Sequence, residues 1–116
     1  MKHFENFIIS HSSSIIDAIE KIQLYKTRDL LVSKKGKIIG TVSEGDILRS
    51  VLEKKDLNNN IEDIANYNFK FVTKKNIKDV KKIFKKERVF IVPVFDKNFK
   101  LVDIITLKDF FKLNVS

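Results

Sequence analysis

Two short stretches of the chain set a hydroxyl and a carboxylate three residues apart, where an apolar run meets an amphipathic one. The first is Gly40-Thr41-Val42-Ser43-Glu44-Gly45-Asp46, leading into Ile47-Leu48-Arg49. The second runs from Lys100-Leu101-Val102-Asp103 through Ile104-Ile105-Thr106-Leu107-Lys108-Asp109 to Phe110-Phe111. Ser43 and Thr106 lie 63 residues apart, and so do Asp46 and Asp109. At a strand-to-helix junction such a hydroxyl sits beside the unsatisfied N–H groups of the first helical turn, a favourable place for a phosphate. The carboxylate offers two oxygens, a fork that matches a ribose diol. Gly45 leaves the backbone open to close approach. The same spacing also describes a pair of helix-capping residues and nothing more. Spacing alone leaves both readings open.

The flanking elements follow from apolar periodicity and turn chemistry. Phe7-Ile8-Ile9 predicts a short strand, and Ser14-Ile15-Ile16-Asp17 a helix opened by a capping box. Ile15, Ala18, Ile19 and Ile22 recur on one face of that helix. Asp29 to Ser33 and Lys37 to Val42 predict two strands joined by a hairpin at Gly36. The next helix runs from Asp46 to Lys55, with Ile47, Val51, Leu48 and Leu52 inward. Asp56-Leu57-Asn58-Asn59-Asn60 reads as a linker, and Ile61 to Ala65 as a short helical turn. Phe69 to Thr73 alternates like a half-exposed strand. Asn76 to Asp79 repeats the earlier cap, with Ile77, Val80, Ile83 and Phe84 inward and Lys78, Lys81, Lys82, Lys85 and Lys86 outward. Arg88 to Phe95 is a strand that Pro93 would interrupt, and Asp96 to Phe99 is the turn after it. Both halves thus read strand–helix–strand–strand–helix, an internal repeat that carries more weight than any one motif.

Composition narrows the function classes. The 116 residues include ten Phe and no Cys, which removes disulfides, thiolate metal sites and cysteine nucleophiles. No apolar run approaches the roughly 18 residues of a membrane span, and Met1 to Asn6 lacks a signal-peptide core, so a cytoplasmic location is expected. His3 and His11 are too few for a metal site or a dyad, and Asp29, Glu44 and Glu62 show no acid/base pairing. No catalytic or metal-binding constellation is expected. The net charge is +8, divided as +2 over residues 1–58 and +6 over residues 59–116.

Taken together, these stretches resemble a tandem pair of CBS domains, the regulatory repeat of the cystathionine-β-synthase type, also called a Bateman module. In the first half the resemblance is carried by Ser14-Ile15-Ile16-Asp17-Ala18, Leu30-Leu31-Val32 and Ile39 to Arg49. In the second it is carried by Ile77-Lys78-Asp79-Val80, Val92-Pro93-Val94-Phe95-Asp96 and Ile104 to Asp109. It covers Phe4 to Leu113, and the Gly45-Asp46 run is similar to CBS pairs fused to sugar-nucleotide nucleotidyltransferases. It implies an α+β fold of two β-α-β-β-α repeats, residues 1–58 and 59–116, related by a pseudo-twofold axis with their sheets packed together. It implies a non-catalytic module that binds an adenine nucleotide (AMP, ADP or ATP) in the cleft between the repeats, requires no cofactor, and relays occupancy to an attached or partner protein.

By position, the resemblance assigns Ile9, Ser10, Leu31, Val42, Ser43 and Asp46 to a first nucleotide site. It assigns Phe71, Val72, Pro93, Ile105, Thr106 and Asp109 to a second. Asp103 stands where the first half has Gly40, and Pro93 where it has Leu31, so the second site is expected to be degenerate. Arg49 and Lys108 are within reach of a phosphate or simply solvated. The competing reading is a dimerisation or docking module with vestigial sites, and a homodimer fits either. Nucleic acid ranks last, because aromatic residues interleave poorly with the lysines of 78–86.

Overall fold

The computed structural model describes residues 4–74 and 76–114, with side chains through residue 112; His3 lies outside them. Chain contacts divide it into two compact units, residues 1–69 and 70–116.

In the first unit, strands β1 (Ile8–Ser10), β2 (Asp29–Lys34) and β3 (Lys37–Ser43) form one sheet in that order. β1 runs parallel to β2, and β2 antiparallel to β3. The hairpin between them turns through Lys35 and Gly36, at φ 51° and 77°. Two consecutive positive φ values are the geometry that matches a two-residue turn to strand twist. Helix α1 (Ile15–Tyr25) opens with the expected capping box. The Asp17 amide donates to Ser14 Oγ at 3.0 Å, and the Ser14 amide to Asp17 Oδ2 at 2.9 Å. Its apolar face (Ile15, Ala18, Ile22) meets Ile9, Leu30, Val32 and Val42 of the sheet in one core.

The stretch read as a linker is fastened down. The amides of Ile15 and Ile16 donate to the carbonyls of Asn59 and Leu57 at 2.9 and 3.0 Å. Two of the four amides that any helix leaves unpaired at its start are thereby satisfied. Ile61, in a 3-10 turn over Ile61–Asp63, is fully buried in the same core. Further on, Thr41 and Asn66 exchange both backbone hydrogen bonds, at 2.9 and 2.7 Å, which covers the free edge of β3.

Helix α2 (Glu44–Leu52) departs from expectation. Leu48, Val51 and Leu52 do not point inward; they are 61%, 47% and 74% exposed. Ile47 packs against the core, and the buried side chain is Ser50, whose hydroxyl is satisfied by the Ile47 carbonyl at 2.6 Å. Ile47 and Ser50 turn inward while Leu48, Val51 and Leu52 stay exposed, so an apolar stripe read from the sequence is left largely uncovered.

In the second unit, β4 (Ile91–Phe95) and β5 (Leu101–Thr106) form an antiparallel hairpin. α3 (Ile77–Lys86) and α4 (Leu107–Asn114) supply Val80, Ile83, Phe84, Leu107 and Phe110 to a core with Val72, Val92, Val94 and Ile105. The expected strand from 88 starts only at Ile91, and Pro93 does not interrupt it. Ile77, expected inward, is 40% exposed.

Pro93 acts on the neighbouring strand instead. The predicted strand over 69–73 is reduced to a single parallel bridge, Val72 to Val94. The Val72 amide donates to the Pro93 carbonyl at 3.1 Å, and the Phe95 amide to the Val72 carbonyl at 2.9 Å. Extending that ladder toward residue 70 needs an N–H at position 93, which proline lacks. Leu31, at the matching place in β2, keeps its N–H, and β1 pairs there over three residues.

Candidate functional site

The Ser43–Asp46 junction is held by backbone and side chain together. Ser43 is the last residue of β3 and the N-cap of α2. Its Oγ accepts the Asp46 amide at 3.1 Å, while its own amide donates to Asp46 Oδ2 at 2.9 Å. The Ser43 hydroxyl also donates to Oδ2, at 3.0 Å. Arg49, one turn on, approaches the other oxygen, Oδ1, at 3.3 Å. A carboxylate has about four lone-pair sites, and these contacts use three. The Asp46 side chain is 15% exposed, whereas Arg49 is 66% exposed and free to swing away. The capping and ligand readings are therefore compatible: Oδ2 holds the helix, and Oδ1 remains to receive a hydroxyl.

Beside this carboxylate lies an open hollow of about 150 Å³. Asp46, Arg49, Ser50, Glu53 and Lys55 wall one side, and Asp63, Ile64 and Ala65 the other. The lining holds three acidic side chains and two basic ones, and so suits hydroxyl groups more than a highly charged anion. Glu53, Lys55 and Asp63 belong to no motif visible in the sequence. The signal lay in Asn60-Ile61-Glu62-Asp63, where Asn60 caps the 3-10 turn by accepting the Glu62 amide at 2.9 Å.

The remaining residues proposed for the first site fall in different places. Ile9 and Val42 share the core face of the sheet. Leu31 alternates to the opposite face, in a row with Ile8 and Thr41. Ser10 pairs with Ser33 and Ser43 with Asp29, so Ser10 and the Ser43–Asp46 junction lie at opposite ends of the sheet. Gly40 has a role the sequence did not reveal. A Cβ built there would stand 2.9 Å from the Asn66 carbonyl oxygen and 3.3 Å from Tyr67 Cδ1. Its missing side chain admits the 66–67 segment.

The second junction is a looser copy. The Asp109 amide donates to Thr106 Oγ1 at 3.0 Å, and the Thr106 amide reaches Asp109 Oδ2 at 3.4 Å. Val72 and Ile105 belong to the core, and Pro93 is buried in β4. Phe71 packs edge-on against Phe95 and Phe99, toward the turn end of the hairpin. Thr106 pairs with Ile91 at the other end. The Asp103 carboxylate caps the amide of its neighbour Ile104 at 2.8 Å. Among the described residues, no group of three His, Cys, Asp or Glu side chains could hold a metal ion. Nor is any helix among them long and apolar enough to cross a membrane.

The CBS domain model matches the chain twice, over residues 3–53 and 61–116. The chain belongs to the CBS domain family. As a class these domains are regulatory and non-catalytic. No curated protein shows significant similarity to the chain. Solved structures do, and they agree on the fold of a CBS pair. The CBS domain protein NE2398 is 24% identical with a TM-score of 0.83, over 94% of this chain and 87% of that one. A CBS domain protein from Pyrobaculum aerophilum, solved with AMP, is 18% identical with a TM-score of 0.79 and full coverage of both chains. The CBS domain pair of protein MJ0100, solved with 5′-methylthioadenosine and S-adenosyl-L-methionine, is 25% identical with a TM-score of 0.77, over 92% and 90%. Two solved proteins of this fold thus carry adenosine ligands.

Proposed function

We propose that the chain is a regulatory CBS pair that binds an adenosine-containing ligand at the Ser43–Asp46 junction. The observation that carries this is Asp46, whose Oδ1 is spared by the helix cap and whose side chain lines a polar hollow. A ribose diol would donate to Oδ1 as Arg49 turns outward to meet a phosphate. The three acids of the hollow disfavour a long phosphate chain, so AMP, or an adenosine without phosphate, is preferred over ATP. The solved relatives with AMP and with S-adenosyl-L-methionine support that choice of ligand class. The Thr106–Asp109 junction is the weaker site, consistent with its longer amide-to-carboxylate bond.

Occupancy is relayed to an attached or partner protein, and a sugar nucleotidyltransferase is the partner class that the sequence resemblance proposes. The module works as a homodimer, for which the uncovered Leu48, Val51 and Leu52 of α2 provide an apolar face. The repeats remain 1–58 and 59–116, and the location is cytoplasmic. Thermal unfolding tests the reading. AMP at about 100 times its Kd stabilises by about 2.7 kcal/mol, and Asp46→Ala abolishes the shift. If no adenosine ligand moves the transition at millimolar concentration, the reading is wrong.

A further inference from the structure

The positive charge of this protein is confined to one unit. Residues 1–69 hold ten basic and ten acidic side chains, and so are formally neutral. Residues 70–116 hold thirteen basic and five acidic, which places the whole +8 there. A lysine-rich composition with no purpose would raise the charge of both units. Half of that excess, five lysines against one aspartate, is collected on the ten residues of α3.

Five lysines, at 78, 81, 82, 85 and 86, lie on this one helix. At 100° per residue they occupy an arc of about 140°, opposite the arc of Val80, Ile83 and Phe84 that enters the core. All five are exposed, and none has a carboxylate partner among the described residues. Asp79, the one acidic residue within the helix, is also exposed, at the margin of the stripe. From Lys78 to Lys86 the helix rises about 12 Å, so the stripe carries one positive charge per 2–3 Å. Duplex nucleic acid carries about one negative charge per 1.7 Å of its axis. Of the apolar residues of α3, Val80, Ile83 and Phe84 enter the core, which leaves Ile77 alone to meet a lipid surface.

From these observations we infer that α3 is a docking face for the phosphate backbone of a nucleic acid, without base specificity. The sequence ranks this reading last for want of interleaved aromatics, which bears on base stacking but not on backbone contact. The face depends only on residues of the second unit and stands independently of the Asp46 site.

The test is fluorescence anisotropy of the full chain with a labelled 20-base-pair DNA duplex across a salt series, with a single strand of the same length alongside. Five phosphate contacts predict a slope of log K against log salt near about −4.5 for the duplex, a fall in affinity of roughly 500-fold between 50 and 200 mM. In the triple variant Lys78→Gln, Lys81→Gln, Lys82→Gln the slope falls to about −1.8 with the melting temperature unchanged, as expected for exposed side chains. The control Lys35→Gln, Lys37→Gln, Lys54→Gln removes the same charge from the first unit and keeps the parent slope. Equal losses in the two variants overturn the proposal, because net charge would then suffice. Absence of duplex and single-strand binding at 50 mM salt also overturns it. So does binding to vesicles containing phosphatidylserine at a salt concentration where neither nucleic acid binds.

Discussion

Gly40 and Tyr67 show how single residues tie one segment of this protein to another. At Gly40 the obstacle to any side chain is a backbone carbonyl, that of Asn66, which cannot step aside as a flexible side chain could. Gly40→Ala is expected to destabilise the protein by about 1–3 kcal/mol in urea unfolding, through loss of the Thr41–Asn66 pairing. Tyr67 donates its hydroxyl to the Glu62 carbonyl at 2.8 Å. Partial desolvation, and then the charges of Glu62 and Asp63, raise its pKa above the ordinary 10.0. The folded state thus favours the neutral phenol. Above the unfolded value the unfolded chain gives up that proton first, so stability falls as pH rises past 10. Tyr67→Phe removes this component, and urea midpoints between about pH 9 and 11 should fall less steeply than in the parent. Ser43 and Asp46 were legible in the sequence because a hydroxyl and a carboxylate at that spacing have few uses. Gly40 was noticed only as a contrast with Asp103. Its neighbour in space is 26 residues away in the chain, and no local pattern announces such an approach.

At the scale of elements, helices were the most readable. Capping residues and apolar periodicity are local, and α1 formed where Ser14 and Asp17 placed it. Strand pairing is not local, which is why 69–73 failed to become a strand: the decisive residue was Pro93 on the partner, not anything within the segment. The apolar stripe of α2 was read correctly as a stripe but wrongly as buried, since periodicity reports the existence of an apolar face and not what covers it. Leu52, at 74% exposed, tests the proposed dimer. Leu52→Glu is expected to raise the dimer dissociation constant by about tenfold or more in sedimentation equilibrium. An unchanged association constant would mean that a different surface is used.

For the whole molecule, the duplicated sequence hides two unlike copies. The first junction has a tight capping box, a covered strand edge and a hollow; the second has a longer bond, a shortened sheet and the positive charge. Titration calorimetry should therefore find one adenosine ligand per chain at micromolar to millimolar concentrations. Two equivalent sites would show that the differences at Pro93 and Asp103 do not matter to binding. The fold class and the repeat were visible from sequence because order and spacing recur twice. The distribution of charge between units was not, since it depends on where the compact units divide.

That division has a consequence for how such a chain can be taken apart. The second match to the CBS domain begins at residue 61, whereas the first packed unit runs to 69. The nine residues 61–69 belong to one copy by sequence and to the other by contact, with Ile61 as the plug in a socket built by the preceding repeat. Recombination at that seam would leave the socket empty and take from the Ser13 carbonyl the Ile61 amide that it accepts. The first copy cannot be exchanged at that seam without losing part of its own core.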